Sequence, residues 1–147
     1  MRKLFSTNHS AGAFNLAMLV LRLTVGGLMA WSAGYFKFTH FDMILNGNPG
    51  GSPPMPPFSV NFLGLGYSVS LSLLVFAELF CASLLVLGLF TRLAAIPLII
   101  SSSVALFTVH HGHIFSDGQM ITLFLCGYIV LLLTGPGKIS VDGLISK

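Results

Sequence analysis

Residues 67–92, YSVSLSLLVFAELFCASLLVLGLFTR, decide the fold. Between Tyr67 and Phe90 the sole charged side chain is Glu78. Crossing the hydrocarbon core of a bilayer takes about 20 consecutive apolar residues, and this run exceeds that. Lipid offers the backbone no hydrogen-bond partners, so the run must satisfy itself as a helix. It ends in Gly88-Leu-Phe-Thr-Arg92, a tight connector that makes the next apolar run its antiparallel neighbour. Upstream, residues 13–36 form a run of similar length with one internal charge, Arg22. Downstream, 93–110 and 118–134 are near the lower length limit and are expected to borrow flanking residues.

The expected fold is therefore all-α, a polytopic membrane four-helix bundle. It forms a single transmembrane domain over residues 1–147, with spans at about 13–36, 67–90, 93–110 and 118–134. A Pro/Gly-rich outer loop over 37–66 separates the first two. Its segment 46–57 holds five of the seven prolines and can be neither regular helix nor central strand. Ser116-Asp117-Gly118 is expected to cap the fourth helix, Pro97 to kink the third, and Gly135-Pro136-Gly137 to stop the fourth. Met-Arg-Lys before an apolar run resembles a signal peptide, but Arg22 interrupts the run, so a retained first span is expected.

Composition agrees with this. The chain is 54% hydrophobic and 7% charged, against about 25% charged in soluble domains. A net charge of +3 raises the question of nucleic acid, but the seven basic residues are scattered and form no patch, so no nucleic-acid partner is expected. The lipid bilayer is the expected partner. Arg2, Lys3, Arg92, Lys138 and Lys147 fall on one side of the spans and Lys37 alone on the other. That bias places both termini in the cytoplasm and the outer loop and the 110–117 turn outside.

Arg22 and Glu78 are the candidate site. A charge at the centre of a transmembrane helix costs about 2.5 kcal/mol at least, so it has a partner or a purpose. Counted from the ends of their runs, Arg22 lies roughly 14 Å and Glu78 roughly 18 Å in from the same side, which brings them within reach of each other. The pair reads either as a structural lock between the first two helices, or as the polar floor of a ligand pocket or part of a proton path.

Other groups are weaker candidates. Cys81 shares a helix face with Glu78, and Cys126 lies at similar depth, so a thiol pair is conceivable, although buried cysteine usually acts as a small hydrophobe. His110 and His113, with Asp117, His40 and Asp42, are weak metal candidates, and no metal is assigned. Gly26, Gly27, Ala30 and Gly34 offer a helix-contact stripe. Trp31, Tyr35 and Tyr67 are placed as interface anchors.

Several of these pieces together resemble the DoxX family of small four-helix bacterial membrane proteins. They are Leu21-Arg22-Leu23 followed by Gly26 or Gly27, then Gly34-Tyr-Phe-Lys37, Pro57-Phe58, Glu78 leading to Leu87-Gly-Leu-Phe-Thr-Arg92, and Gly135-Pro-Gly-Lys-Ile-Ser-Val-Asp142. The resemblance implies that Arg22 and Glu78 are the family's helix-one Arg and helix-two Glu. Lys37 and Cys81 become pocket neighbours. Ala33 stands where the family often has His, and Gln119 where an acidic residue is common.

The family's links to envelope redox systems imply an auxiliary or ligand-binding subunit of a quinone- or thiol-linked system, located in the bacterial inner membrane. Quinone is then the cofactor to look for, and other subunits of such a complex are the partners. A non-catalytic subunit is expected over an enzyme, and an enzyme here would be an oxidoreductase. The alternatives are a membrane scaffold or maturation factor without catalysis, and a self-sufficient quinone-linked oxidoreductase.

Overall fold

The computed structural model describes residues 10–52 and 54–145. Four long apolar helices form the bundle: α1 (Ala11–Thr39), α3 (Tyr67–Leu87), α4 (Thr91–Thr108) and α5 (Gln119–Thr134). Two short helices lie outside it, α2 (Phe41–Asn46) and α6 (Val141–Ile145). Among the described residues there is no β-strand, only an isolated bridge between Asn48 and Met55. One end of the bundle, here the base, carries Ser10, the Gly88 turn and α6. The other end, the crown, carries the connections α1–α3 and α4–α5.

The first three long helices have the length and hydropathy to cross a membrane. The fourth has 16 residues, about 24 Å at 1.5 Å per residue. Large apolar side chains such as Leu93, Leu123 and Leu133 are 64–72% exposed on the bundle surface. That arrangement needs lipid around it. The protein is thus a membrane-embedded helical bundle.

Local chemistry sets the helix ends. Ser10 accepts a hydrogen bond from the Ala13 amide and caps α1. At the base, Gly88 adopts φ 71° while its amide donates to Leu85 and that of Leu89 to Leu84, the paired bonds of a Schellman stop. Phe90 also turns through positive φ before α4 begins. α4 runs unbroken through Pro97.

The structure departs from the sequence reading in three local respects. α1 is longer at both ends than the 13–36 run, and 37–46, read as loop, is largely helical through its last turn and α2. Apolarity marks where lipid is, whereas helix continues as long as hydrogen bonds and packing support it. Neither Ser116 nor Asp117 caps α5: its N-cap is Gly118, with no side-chain bond. Residue 118 is held by its own backbone, whose amide donates to His113.

α1 and α3 are antiparallel and very close. A Cβ on Gly26 would lie 2.9 Å from Val86 Cγ2 and 3.1 Å from the Ala82 carbonyl oxygen. On Gly34 it would lie 2.6 Å from the Leu79 nitrogen and 2.7 Å from the Glu78 carbonyl. Small residues at helix contacts let backbones approach this far. Gly27 faces open space and has no part in the contact. Where the helices touch at Gly34, both widen into π-helical turns, over Met29–Tyr35 and Phe76–Cys81. Such turns insert a residue and often accompany function.

The main hydrophobic cluster lies towards the base, while Leu71, Val75 and Leu106 are buried nearer the crown. Met18, Ala82, Leu85, Ala95, Leu98, Tyr128 and Leu131 pack in the base cluster. α1 meets α5 in the same half, through Val25 against Gly127 and Thr134 against Met18. Towards the crown the centre of the bundle is a cavity.

Candidate functional site

Arg22 and Glu78 do not pair. Gly34 rests on Glu78, and Arg22 lies on the same helix roughly 18 Å further towards the base at 1.5 Å per residue, well beyond side-chain reach. The sequence reading aligned the two helices by the start of the first apolar run, near Ala13, and the end of the second, near Phe90. Their true register is set by Gly26 and Gly34, which leaves α1 overhanging α3 at the base. The two charges therefore belong to two separate polar centres.

The first centre lies at the base. Arg22 is 1% exposed and its Nη2 donates to the Ile139 carbonyl at 2.5 Å. Its guanidinium fills the space beside Gly88, where a Cβ would come within 1.6 Å of Nη1. The segment after α5 wraps across this end. The Lys138 amide donates to Asn15 Oδ1 at 2.8 Å and the Asp142 amide to the Gly88 carbonyl at 2.9 Å. The Asp142 carboxylate accepts from the Phe90 amide, the Thr91 amide and the Thr91 hydroxyl, capping α4, and its field reaches Arg22. Arg22 Nε and Nη1 have no hydrogen-bond partner among the described residues. This is a clamp that ties α1, the α3–α4 turn and the C-terminal segment together.

The second centre lies towards the crown. Lys37 follows Gly34 by three residues and so shares the face turned to α3. Its Nζ donates to Glu78 Oε2, the one salt bridge among the described residues. The Glu78 side chain is 7% exposed and that of Lys37 25%, so the lysine runs its apolar stem along the helix to a nearly buried acid. Both line a cavity of about 680 Å³, within the 300–1,000 Å³ of small-molecule sites. α1, α3, α4 and α5 supply its walls. Phe58, Val60 and Phe62 of the Pro-rich connection close it on one side, held where the Phe62 amide donates to Ser70 Oγ.

The other candidates divide between these regions and the surface. Cys81 is buried in the π-turn of α3 and Cys126 is exposed, and neither is in a disulfide. Similar depth did not bring them to the same face, because α5 turns Gly127 and Tyr128 inwards and Cys126 out. His110 and Asp117 both line the cavity, while the His113 side chain is exposed. Among the described residues no three His, Cys, Asp or Glu side chains converge as a metal site would require. Trp31 and Tyr35 stack on each other, with Trp31 75% exposed.

Sequence reasoning missed Asp142 as a cap and Gly88 as the seat of Arg22. It also missed the loop aromatics as cavity wall and Tyr128 as a sealed polar group. The Tyr128 hydroxyl and Ser102 Oγ are buried without a partner among the described residues. The tight Gly88 turn was a usable signal for the first. Tyr128 carries none, since an aromatic in an apolar run reads as packing.

A family model described as DoxX matches residues 17–111, which takes in both Arg22 and the Lys37–Glu78 pair. No curated protein and no solved structure matches the chain.

Proposed function

The chain belongs to the DoxX family, and from that premise we propose that it is an auxiliary, ligand-binding membrane subunit of an envelope redox system, with quinone-like amphiphiles as the ligand class. The observation that carries this is the apolar cavity with an ion pair in its wall. An intramembrane charge pair that only locked two helices would gain nothing from facing an open space of 680 Å³. Polar groups few in number and convergent in an otherwise apolar cleft are the pattern of a small-molecule site. We also propose that the membrane is the bacterial inner membrane with the base cytoplasmic. Arg92 and Lys138 at the base, against Lys37 towards the crown, support that orientation; Arg2, Lys3 and Lys147 lie outside the described residues.

The test is retention of a native ligand. Wild-type protein purified in mild detergent is expected to carry a tail-bearing neutral lipid or quinone near one per chain in its solvent extract. An Ala105→Phe variant, which fills the cavity from α4, is expected to lose it while melting near the wild-type temperature. Equal retention by both proteins would turn the reading towards a scaffold that acts by contacts alone.

A further inference from the structure

Building on the cavity as a ligand site, we propose that within the quinone-like class it selects the reduced, hydroxyl-bearing head, a hydroquinone or other phenol or alcohol on an apolar tail, over the carbonyl-only quinone form and over anionic or cationic heads. The selection follows from what the Lys37–Glu78 pair leaves unsatisfied. Lys37 Nζ carries three donors and uses one on Glu78 Oε2. Glu78 Oε1 has no hydrogen-bond partner among the described residues, and it is not one of the sealed, unpartnered atoms of the interior. Glu78 lines the cavity, and Oε1 is the acceptor it has left to offer a guest. A ligand thus meets a donor and an acceptor side by side.

A hydroxyl has one donor and two acceptor lone pairs. Its O–H donates to Glu78 Oε1 while its oxygen accepts from Lys37 Nζ. An ether or ketone oxygen satisfies the lysine alone and leaves Oε1 facing an apolar group, and a buried acceptor without a donor is costly. Charge excludes the rest. The pair sums to zero, so a carboxylate or ammonium head gains no unpaired counter-ion. It would be desolvated among walls such as Phe62, Phe76, Ile100 and Phe124, which is unfavourable for an ion. Sites built around a substrate hydroxyl reject analogues lacking it far more strongly than apolar pockets reject a changed methylene.

The full chain in phosphatidylcholine nanodiscs is titrated with four radiolabelled probes whose alkyl tails have nine or ten carbons: 4-decylphenol, 4-decylanisole, decanoate and decylamine. The phenol is expected to bind at least about tenfold tighter than the anisole, with both ionic probes weaker still. Two variants then redirect the preference. Glu78→Gln, which leaves the lysine charge unbalanced, is expected to favour decanoate, and Lys37→Gln to favour decylamine. Equal binding of phenol and anisole, or tightest wild-type binding of an ionic probe, would overturn the hydroxyl selection while leaving the cavity a ligand site. Binding of no probe above empty nanodiscs would remove the ligand site as well. The phenol–anisole ratio of the wild-type protein decides the matter even where a variant does not fold.

Discussion

The base and crown halves of this bundle each contain a cation and a carboxylate, arranged to opposite ends. At the base, Arg22 is sealed at 1% exposure against a backbone carbonyl and Gly88, and Asp142 spends its oxygens on the start of α4. Gly88 stands directly against the Arg22 guanidinium, and neither Arg22 nor Asp142 lines the crown cavity. Near the crown, Lys37 and Glu78 meet at the wall of a cavity and keep hydrogen-bonding capacity in reserve. The difference teaches that charge in a membrane span does not by itself mark a site. The space beside it does.

The largest test of this contrast is at Gly88. Alanine there would combine a left-handed backbone, a cost of about 1–2 kcal/mol, with a Cβ overlapping Arg22 and lying 2.7 Å from Ser140 Cβ. Such overpacking costs about 1–3 kcal/mol. Gly88→Ala is expected to lower stability by about 3 kcal/mol in detergent unfolding, with probe binding unchanged in the folded fraction. A variant as stable as the wild type would mean that the base is not clamped as described.

Asp142→Ala removes three hydrogen bonds at the head of α4. Loss of an N-cap costs about 0.5–2 kcal/mol, and this one also removes the carboxylate acting on Arg22. A drop of about 2 kcal/mol is expected, again without effect on the crown cavity. Loss of ligand retention in a normally folded Asp142→Ala protein would couple the two halves and break the comparison.

The smallest effect is the sharpest. Groups more than about 7–10 Å apart with no shared partner combine additively within about 0.5 kcal/mol, whereas contacting pairs couple by about 0.5–3 kcal/mol. In double-variant cycles, Arg22→Leu with Glu78→Leu is expected to be additive, and Lys37→Met with Glu78→Leu to couple by about 1 kcal/mol. Coupling in the first cycle and none in the second would restore the pairing suggested by the apolar runs.

The residues explain how far the sequence could be read. The run around Glu78 fixed the helical state, because lipid leaves the backbone no other way to satisfy its polar groups. The Gly88 connector fixed the antiparallel return of α4, and the small residues at 26 and 34 marked the contact face of α1. Those are local properties, written in consecutive residues. Arg22, Glu78 and Lys37 were each legible as notable, whereas the Gly135–Asp142 stretch lies outside the 17–111 that the family model matches and its part in the clamp came from the structure.

What the sequence by itself determined is a membrane bundle of four apolar helices with charges placed inside it, since hydrophobicity and turn chemistry act along the chain. Which cation meets Glu78 was decided only in the tertiary structure. Register between helices depends on where glycine lets two backbones touch, and run boundaries do not carry that distance. The cavity and its loop aromatics arise likewise from how four helices and the Pro-rich connection stand around a common space, a property of their mutual geometry that no segment holds alone.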